Sequence, residues 1–257
     1  MLDYINFAII PVFLLIFVRI TAFFVTVPLF SYRTIPNTFK IGMSFFLALI
    51  IFPIINTDQI VLDNYPLLLM KEAVIGLLIG LIAYIILSAV QIAGGFVDFQ
   101  MGFAIANVVD PQTGAQSPIL GQYFYIIALL FLLSVNGHYL IIDGIYNSFQ
   151  FIALDKYVPL GEESIAHFII YTFNRMFIIA FQIAIPIVGC LFLVDIALGM
   201  IARTVPQLNV FVVGLPIKIL VSFVVILLFL SIYIVLVRML FTTMFETMRG
   251  LMSLFGG

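Results

Sequence analysis

The sequence predicts an all-α membrane protein with about six apolar helical segments, several of them kinked or broken. Of its 257 residues, 65% are hydrophobic and only 9% are charged, whereas soluble chains carry about 25% charged residues. The mean hydropathy is +1.31. Its apolar stretches approach or exceed the roughly 20 residues that a helix needs to span hydrocarbon. They occupy residues 7–30, 39–55, 67–93, 123–147, 169–201 and 210–241.

The charges and the single cysteine argue against several classes of function. The net charge is -2 and the basic residues are scattered, so no basic patch indicates binding to nucleic acid. Cys190 cannot form an internal disulfide, and the sequence around it contains no metal ligands. We therefore expect no metal, no cofactor and no nucleic-acid partner. Asp3 precedes the first apolar run and no basic residue does, which does not fit a cleavable signal peptide.

The sequence offers only a weak candidate for a catalytic site. Ser134 and His138 lie one helical turn apart and Asp143 follows, as a nucleophile, a base and an orienting group would. Asn136 and Gly137 predict a helix break between them, and a triad needs a geometry that spacing alone does not provide. We therefore expect no catalytic residues, and interpret His138 as a hydrogen-bonded residue at a helix end.

Charged residues inside apolar segments mark places where a membrane helix needs a polar partner. Arg19 lies in the middle of the first segment, so it must face a polar interior or the carbonyl groups of another helix. Asp195 and Arg203 share a helix face but lie about 12 Å apart along the axis, so each needs another partner. An ion or proton relay is one interpretation. Polar contacts between packed helices or subunits are the interpretation we favour, because no second carboxylate lies one turn from Asp195.

Glycines and prolines predict where the helices pack closely or break. Gly76 and Gly80 lie four residues apart, which lets another backbone approach. Pro186 lies inside the fifth segment and Pro216 inside the sixth, and we expect both to interrupt their helices. The basic and acidic residues of the loops also indicate conflicting orientations. Not every apolar segment is therefore expected to be a simple span.

Residues 94–121, GGFVDFQMGFAIANVVDPQTGAQSPILG, are the most unusual part of the sequence. Glycines, prolines and polar residues alternate there with phenylalanine, methionine, isoleucine and valine. We interpret this stretch as neither a membrane helix nor an ordinary soluble loop. Irregular backbone is tolerated at membrane depth only where protein or a water-filled cavity surrounds it. The stretch therefore predicts a pore or cavity element; the alternative is a connector that merely packs.

Four segments of the sequence form a recognisable set: PLFSYRTIPNTFKIGMSFFLAL, AGGFVDFQMGFAIANVVDPQTGAQSPILGQ, LLFLLSVNGHYLII and DIALGMIARTVPQLNVFVVGLPIKILV. Together they resemble the FliR family of flagellar export-apparatus proteins. They occur in the family's order and at its spacing, and the resemblance extends from residue 24 to residue 229. Injectisome relatives share the pattern more loosely, and the match is closer to the flagellar form.

The resemblance implies a structural role, not an enzymatic one, in the flagellar type III export gate. Unfolded rod, hook and filament subunits leave the cytoplasm through this gate. The expected partners are FliP-like and FliQ-like subunits, FlhA-like and FlhB-like export proteins, and membrane lipid. Residues 1–166 correspond to a FliP-like part that includes loop 94–121, and residues 167–257 to a FliQ-like helical hairpin with a C-terminal tail. The implied location is the bacterial cell membrane at the flagellar basal body, as a multi-pass protein.

The resemblance also implies a plug loop inside the channel. Pro111, Gly114 and Pro118 disfavour a helix there, and Asn107 and neighbouring polar residues can be wetted when the channel opens. The predicted plug residues are Ala106, Asn107, Val108, Val109, Asp110, Pro111, Gln112, Thr113, Gly114, Ala115, Gln116, Ser117 and Pro118.

Next to the plug, four apolar residues are candidates for a gate that seals around a moving peptide: Phe96, Phe99, Met101 and Phe103. Methionine is flexible enough to repack around such a peptide.

A secondary transporter is the alternative function, indicated by the interrupted segments and the intramembrane charges. The sequence shows neither the internal repeat that a transporter should contain nor a phosphate-binding glycine loop with its lysine. We therefore expect no nucleotide hydrolysis by this chain.

Overall fold

The computed structural model describes residues 9–55, 64–103, 108–109, 116–155, 163–205, 207 and 209–256. The predicted all-α fold is confirmed, since nearly every described residue is helical. The elements are α1 (Ile9–Thr26), α2 (Asn37–Ile51) with a 3-10 turn (Phe52–Ile54), α3 (Tyr65–Met101), β1 (Val108–Val109), β2 (Gln116–Ser117), α4 (Ile119–Ser134), α5 (Gly137–Phe151), α6 (Glu163–Thr204) and α7 (Val210–Gly256).

The helix boundaries follow the apolar segments with two informative differences. The third segment continues beyond residue 93, because α3 remains helical to Met101. The fourth segment is broken, as Asn136 predicts: α4 ends at Ser134, Asn136 has a left-handed backbone with φ of 58°, and α5 begins at Gly137. Asparagine tolerates this conformation better than most residues.

The expected interruptions at Pro186 and Pro216 are wrong. Both prolines lie inside continuous helices, α6 with 42 residues and α7 with 47. Among the described residues, four helices are long and apolar enough to cross a membrane, counting α2 with its 3-10 turn as one, and α4 with α5 makes a fifth if the pair counts as one broken span. The chain is therefore a multi-pass membrane protein.

The described helices form two compact units that are interleaved along the sequence. The first contains residues 1–86, 136–173 and 243–257, and the second contains residues 87–135 and 174–242. Helices α3, α6 and α7 contribute residues to both units. The division into a FliP-like part and a FliQ-like part follows sequence order and stays a prediction.

The core of the first unit contains a fully buried arginine. Arg19 of α1 is 0% exposed and forms an ion pair with Glu72 of α3, which is also 0% exposed. Its two remaining nitrogens donate to carbonyl oxygens around the C-terminus of α5: Nη1 to Ser148 at 3.0 Å and Nη2 to Ile152 at 3.1 Å. The guanidinium also lies 4.3 Å from the centre of the Phe149 ring. Arg19 is thus surrounded by protein, so α1 is held to α3 and α5 by a polar contact.

A second cation reinforces the same place. Lys71 is adjacent to Glu72 and pairs with it at 2.7 Å. Its ammonium group also donates to the carbonyl oxygens of Ala153 at 2.9 Å and Leu154 at 3.0 Å. The last carbonyl groups of a helix have no partner within the helix and attract cations. Arg19 and Lys71 supply such cations to the end of α5 from two other helices.

Gly76 and Gly80 bring α3 against α1, as their spacing predicts. A Cβ atom added to Gly76 would overlap the carbonyl oxygen of Arg19 and lie 2.9 Å from the Cβ atom of Ala22. At Gly80 an added Cβ would lie 2.9 Å from the carbonyl oxygen of Phe23. The two backbones are therefore in direct contact, and glycine is required at both positions.

We expect Gly76→Ala to destabilise the protein, because the added methyl group meets the backbone of α1. Gly42→Ala is the matched control, since an added Cβ at Gly42 meets nothing within 4 Å. Overpacking of this kind costs about 1–3 kcal/mol, whereas glycine to alanine at an open helical position gains up to about 1 kcal/mol. The thermal unfolding midpoint of the purified protein in detergent should fall for Gly76→Ala and stay or rise for Gly42→Ala. Equal midpoints would contradict the close packing of α1 and α3.

Candidate functional site at the loop between α3 and α4

The candidate site is the segment that joins α3 to α4 in the second unit. Helix α3 ends at Met101 because Gly102 adopts a left-handed backbone with φ of 88°, which favours glycine. The amide of Gly102 donates to the carbonyl of Phe99 at 3.2 Å, which closes the last turn. The chain leaves the helix there, so Gly102 fixes where the loop begins.

The other end of the loop is fixed by a carboxylate from α3. Pro118 occupies the N-cap position of α4, and its side chain offers no hydrogen-bond acceptor to the first amides of that helix. Asp98 supplies the acceptor instead. Its Oδ2 atom accepts a hydrogen bond from the amide of Leu120 at 3.0 Å, and the amides of Ile119 and Gly121 also interact with this carboxyl group. A negative group at the first turn of a helix satisfies otherwise unpaired N–H groups. Asp98 therefore caps α4 from a different helix.

Glycines allow the two helices to approach this closely. Gly94 of α3 lies against the backbone of Gly121 of α4, with no room for a Cβ atom. A Cβ added to Gly121 would lie 2.7 Å from the carbonyl oxygen of Gln91, and one added to Gly95 would lie 3.2 Å from the ring of Pro118. We call these contacts, together with the Asp98 cap, the clasp.

The prediction that irregular backbone begins at residue 94 is wrong. The paired glycines at the start of this stretch permit a helix crossing, and α3 continues for seven residues beyond Gly94 to Met101. Among the described residues, the chain leaves the helix at Gly102, and α4 begins after Pro118. The segment between the two helices is therefore shorter than expected, and the clasp joins the helices on either side of it.

Within the loop the structure describes two short strands. Residues Val108 and Val109 pair antiparallel with Ser117 and Gln116, respectively. The chain therefore reverses direction between residues 109 and 116. Of the other predicted plug residues, Pro118 belongs to the clasp through its contact with Gly95. The remaining ones lie outside the described residues: Ala106, Asn107, Asp110, Pro111, Gln112, Thr113, Gly114 and Ala115.

The four predicted gate residues have different surroundings. Phe96 stacks on Phe181 of α6 with 4.9 Å between ring centres. Phe99 is 75% exposed, whereas Met101 is 0% exposed, and two helical positions place their side chains about 200° apart around the axis. Phe103, just after the end of α3, is partly buried. Phe99 is thus the most accessible of the four.

A polar cluster joins α6 and α7 within the same unit. The Lys218 ammonium lies 2.7 Å from Oδ1 of Asp195, and the amide of Gln100 donates to Oδ2 of Asp195 at 2.8 Å. The side chains of Lys218 and Asp195 are 18% and 38% exposed. Asp195 thus pairs with another helix, and Arg203 lies exposed in the last turn of α6, where a cation suits the helix dipole.

The three residues of the weak catalytic candidate have the following contacts within their own units. The hydroxyl of Ser134 donates to the carbonyl of Phe131 at 2.8 Å, and Asp143 accepts the amide of Asn147 at 2.9 Å. Nδ1 of His138 has no hydrogen-bond partner in the described part of the chain, and the hydrogen bond expected for this residue stays a prediction. Over all the described residues, no group of three or more His, Cys, Asp or Glu side chains is placed to hold a metal ion.

Sequence reasoning missed the partners rather than the central residues. Glu72 lies 53 residues from Arg19, Asp98 lies 22 residues from Leu120 and Lys218 lies 23 residues from Asp195. A single sequence contains no signal for such distant pairs. For Asp98 a partial signal existed, because Gly94 and Asp98 are one helical turn apart and share a face. A close approach and a polar contact on that face could have been expected together.

We expect the Asp195 and Lys218 side chains to be energetically coupled. Asp195→Leu leaves Lys218 without its counter-charge among apolar residues, so it should lower the unfolding midpoint in detergent more than the double change Asp195→Leu with Lys218→Leu. The coupling free energy from the double-mutant cycle should be about 1 kcal/mol. Additive effects would remove the pair as a stabilising contact.

Comparison with known proteins identifies the family. Residues 10–244 match the family described as bacterial export proteins, family 1. The chain is 58% identical to the flagellar biosynthetic protein FliR of Bacillus subtilis (strain 168), over 96% of each chain. It is 30% identical to the protein of the same name from Pectobacterium carotovorum subsp. carotovorum, over 92% of this chain and 91% of that one. It is also 30% identical to the Yop proteins translocation protein T of Yersinia pestis, over 78% of each. The chain belongs to family 1 of the bacterial export proteins.

Proposed function

We propose that this protein is a pore and gate subunit of the flagellar type III protein export apparatus, at the flagellar basal body. The observation that carries this proposal is the 58% identity to a flagellar FliR protein over 96% of both chains. Identity to the translocation protein T of Yersinia pestis is 30% over 78% of each chain, so the flagellar role is favoured over an injectisome role. Membership of an export family also favours this role over a secondary transporter.

The apolar surface of α6 and α7 supports assembly with other helical membrane subunits, which we take to be FliP-like and FliQ-like. Leu193 of α6 is 65% exposed, and Leu227 and Leu228 of α7 are 73% and 77% exposed. Added Cβ atoms on Gly189 and Gly199 would meet nothing within 4 Å. Small residues beside large exposed apolar side chains suit helix packing in a membrane. Partner helices or lipid must cover this surface.

The loop between α3 and α4 is the plug in this proposal. Its ends are held by the clasp, while its sequence contains prolines, glycines and polar residues that tolerate water. In the closed gate the plug lies across the lumen and limits ion leakage. An export substrate displaces it, and the lumen closes behind the last residue of the substrate. Phe99, the most exposed of the four gate candidates, is the residue best placed to contact the substrate.

The energy for export comes from other components in this proposal. The sequence contains no glycine loop with a phosphate-binding lysine. A separate ATPase and the proton-motive force therefore drive transport, with FlhA-like and FlhB-like proteins as further partners. This protein contributes a passage and its closure, and performs no chemical reaction.

Purification of the tagged chain from detergent-solubilised membranes tests the assembly. We expect a large hetero-oligomer of defined mass that contains FliP-like and FliQ-like proteins together with this chain, because its apolar helices need partners. Mass measurement of the intact complex and identification of its subunits provide the readout. A monomer or a symmetric homodimer would contradict the proposal and favour the transporter.

Deletion of residues 106–117 tests the plug. The ends of the shortened loop can still be joined, because Pro118 lies beside Gly95, about 9 Å of helical rise before Met101. Four residues, 102–105, are long enough to cover that distance. We expect the assembled complex in potassium-loaded vesicles to leak ions faster than the native complex, because nothing closes the lumen.

The control for this deletion replaces residues 106–117 with a glycine and serine segment of equal length. This variant keeps the chain length but loses the valines that pair in the two strands. Its leakage should lie between the values for the native and deleted proteins. If the deletion left both leakage and export of flagellar subunits unchanged, the plug assignment would be wrong.

A further inference from the structure

We propose that Asp98 is the positioning residue of the plug: its carboxylate holds the first turn of α4 against α3 and thereby fixes both ends of the loop in the closed gate. This inference rests on the proposed function. It adds a role for a residue of the helix, outside the loop itself.

The position of Asp98 explains why a carboxylate is needed there. Its side chain is buried, with the residue 3% exposed, and Oδ2 accepts the Leu120 amide at 3.0 Å. Burial of a charged group is costly unless hydrogen bonds stabilise it. The first-turn amides of α4 provide that stabilisation, and these amides have no acceptor in the Pro118 side chain. The carboxylate therefore accepts hydrogen bonds from amides that would otherwise be unpaired, and these amides in turn stabilise the buried carboxylate.

The hydrogen bond between Asp98 and Leu120 joins the end of α3 to the start of α4, the two helix ends that the loop connects. Asp98 is three residues before Met101, the last residue of α3, and Leu120 is the second residue of α4. The loop is the only covalent link between these two helix ends. Besides the carboxylate, the described contacts at the start of α4 include van der Waals contacts around Gly94 and Gly121. These contacts have no direction, whereas a hydrogen bond to an amide fixes orientation.

The second oxygen of Asp98 argues against a side chain that only packs. Oδ1 is buried and has no hydrogen-bond partner among the described residues. A buried polar atom without a partner is costly, so an apolar side chain would suit packing alone better. A carboxylate opposite three amide groups positions α4 more firmly than an apolar side chain does.

The test measures ion leakage of the assembled complex in potassium-loaded vesicles. Asp98→Ala removes the cap, and we expect leakage to rise roughly five- to thirtyfold, the change in population that the loss of one buried cap produces. Asp98→Asn keeps an acceptor oxygen for the Leu120 amide, so its leakage should be smaller than that of Asp98→Ala. The matched control is Asp143→Ala, because Asp143 is exposed and contacts Asn147. It should leak like the native complex.

A disulfide across the clasp separates positioning from general damage to the fold. A Cβ atom added to Gly95 lies 3.9 Å from the Cβ atom of Pro118, within the range that a disulfide spans. Gly95→Cys with Pro118→Cys is introduced into a Cys190→Ser background, because Cys190 is the only native cysteine. Combined with Asp98→Ala, the oxidised disulfide should return leakage to near the native level, and reduction should restore the leak.

The outcomes are distinct. If assembled Asp98→Ala leaks no more than Asp143→Ala, or if oxidation of the disulfide does not lower its leakage, Asp98 is not a positioning residue. If Asp98→Ala does not assemble, Asp98→Asn with the same disulfide replaces it, and oxidation must again lower the leakage. Deletion of residues 106–117 tests the plug separately. A leaking deletion with a tight Asp98→Ala overturns only the positioning role, whereas a tight deletion overturns the proposed function as well.

Discussion

The ion pair between Arg19 and Glu72 fixes how α1 meets α3 in the first unit. Removing one partner of a buried ion pair costs about 3–5 kcal/mol, because the remaining charge is stranded away from water. Both side chains are fully buried, so α1 and α3 must keep the register that joins them. The close approach at Gly76 lies one turn further along α3 and depends on that register. The end of α5 is held by the same guanidinium.

Both units satisfy helix ends with side chains from other helices. None of the N-cap residues of α2, α4 and α5 forms a side-chain capping hydrogen bond. The N-terminus of α4 receives the carboxylate of Asp98, and the C-terminus of α5 receives the cations Arg19 and Lys71. Each sign matches the partial charge of the helix end it meets. The start of α4 and the end of α5 are therefore stabilised by tertiary contacts, whereas local backbone conformation ends α3 at Gly102 and breaks the chain at Asn136.

This dependence explains which features the sequence predicts. Helix number and type follow from apolar length, and the break at Asn136 follows from local backbone preference, so both can be predicted from the sequence. The end of α3 could not be predicted, because Gly94 and Gly95 would disrupt an isolated helix but here permit the packing of α3 against Gly121. Pro186 misleads for a related reason: long helices in membranes tolerate proline when neighbouring groups satisfy the freed carbonyl. At the candidate site, the loop itself was recognisable, whereas Asp98 needed its partner, 22 residues away, to be seen.

The clasp is a closely packed base for the proposed plug. The entropy of closing a loop depends only weakly on its length, so a change in the number of residues between Gly102 and Pro118 should have a modest free-energy cost. The clasp behaves differently, because its backbones touch and its carboxylate is buried. In the proposed function, movement confined to the loop would leave these contacts intact, and the clasp would return the loop to the same place once a substrate had passed. We infer that reversible closure would depend on this closely packed base.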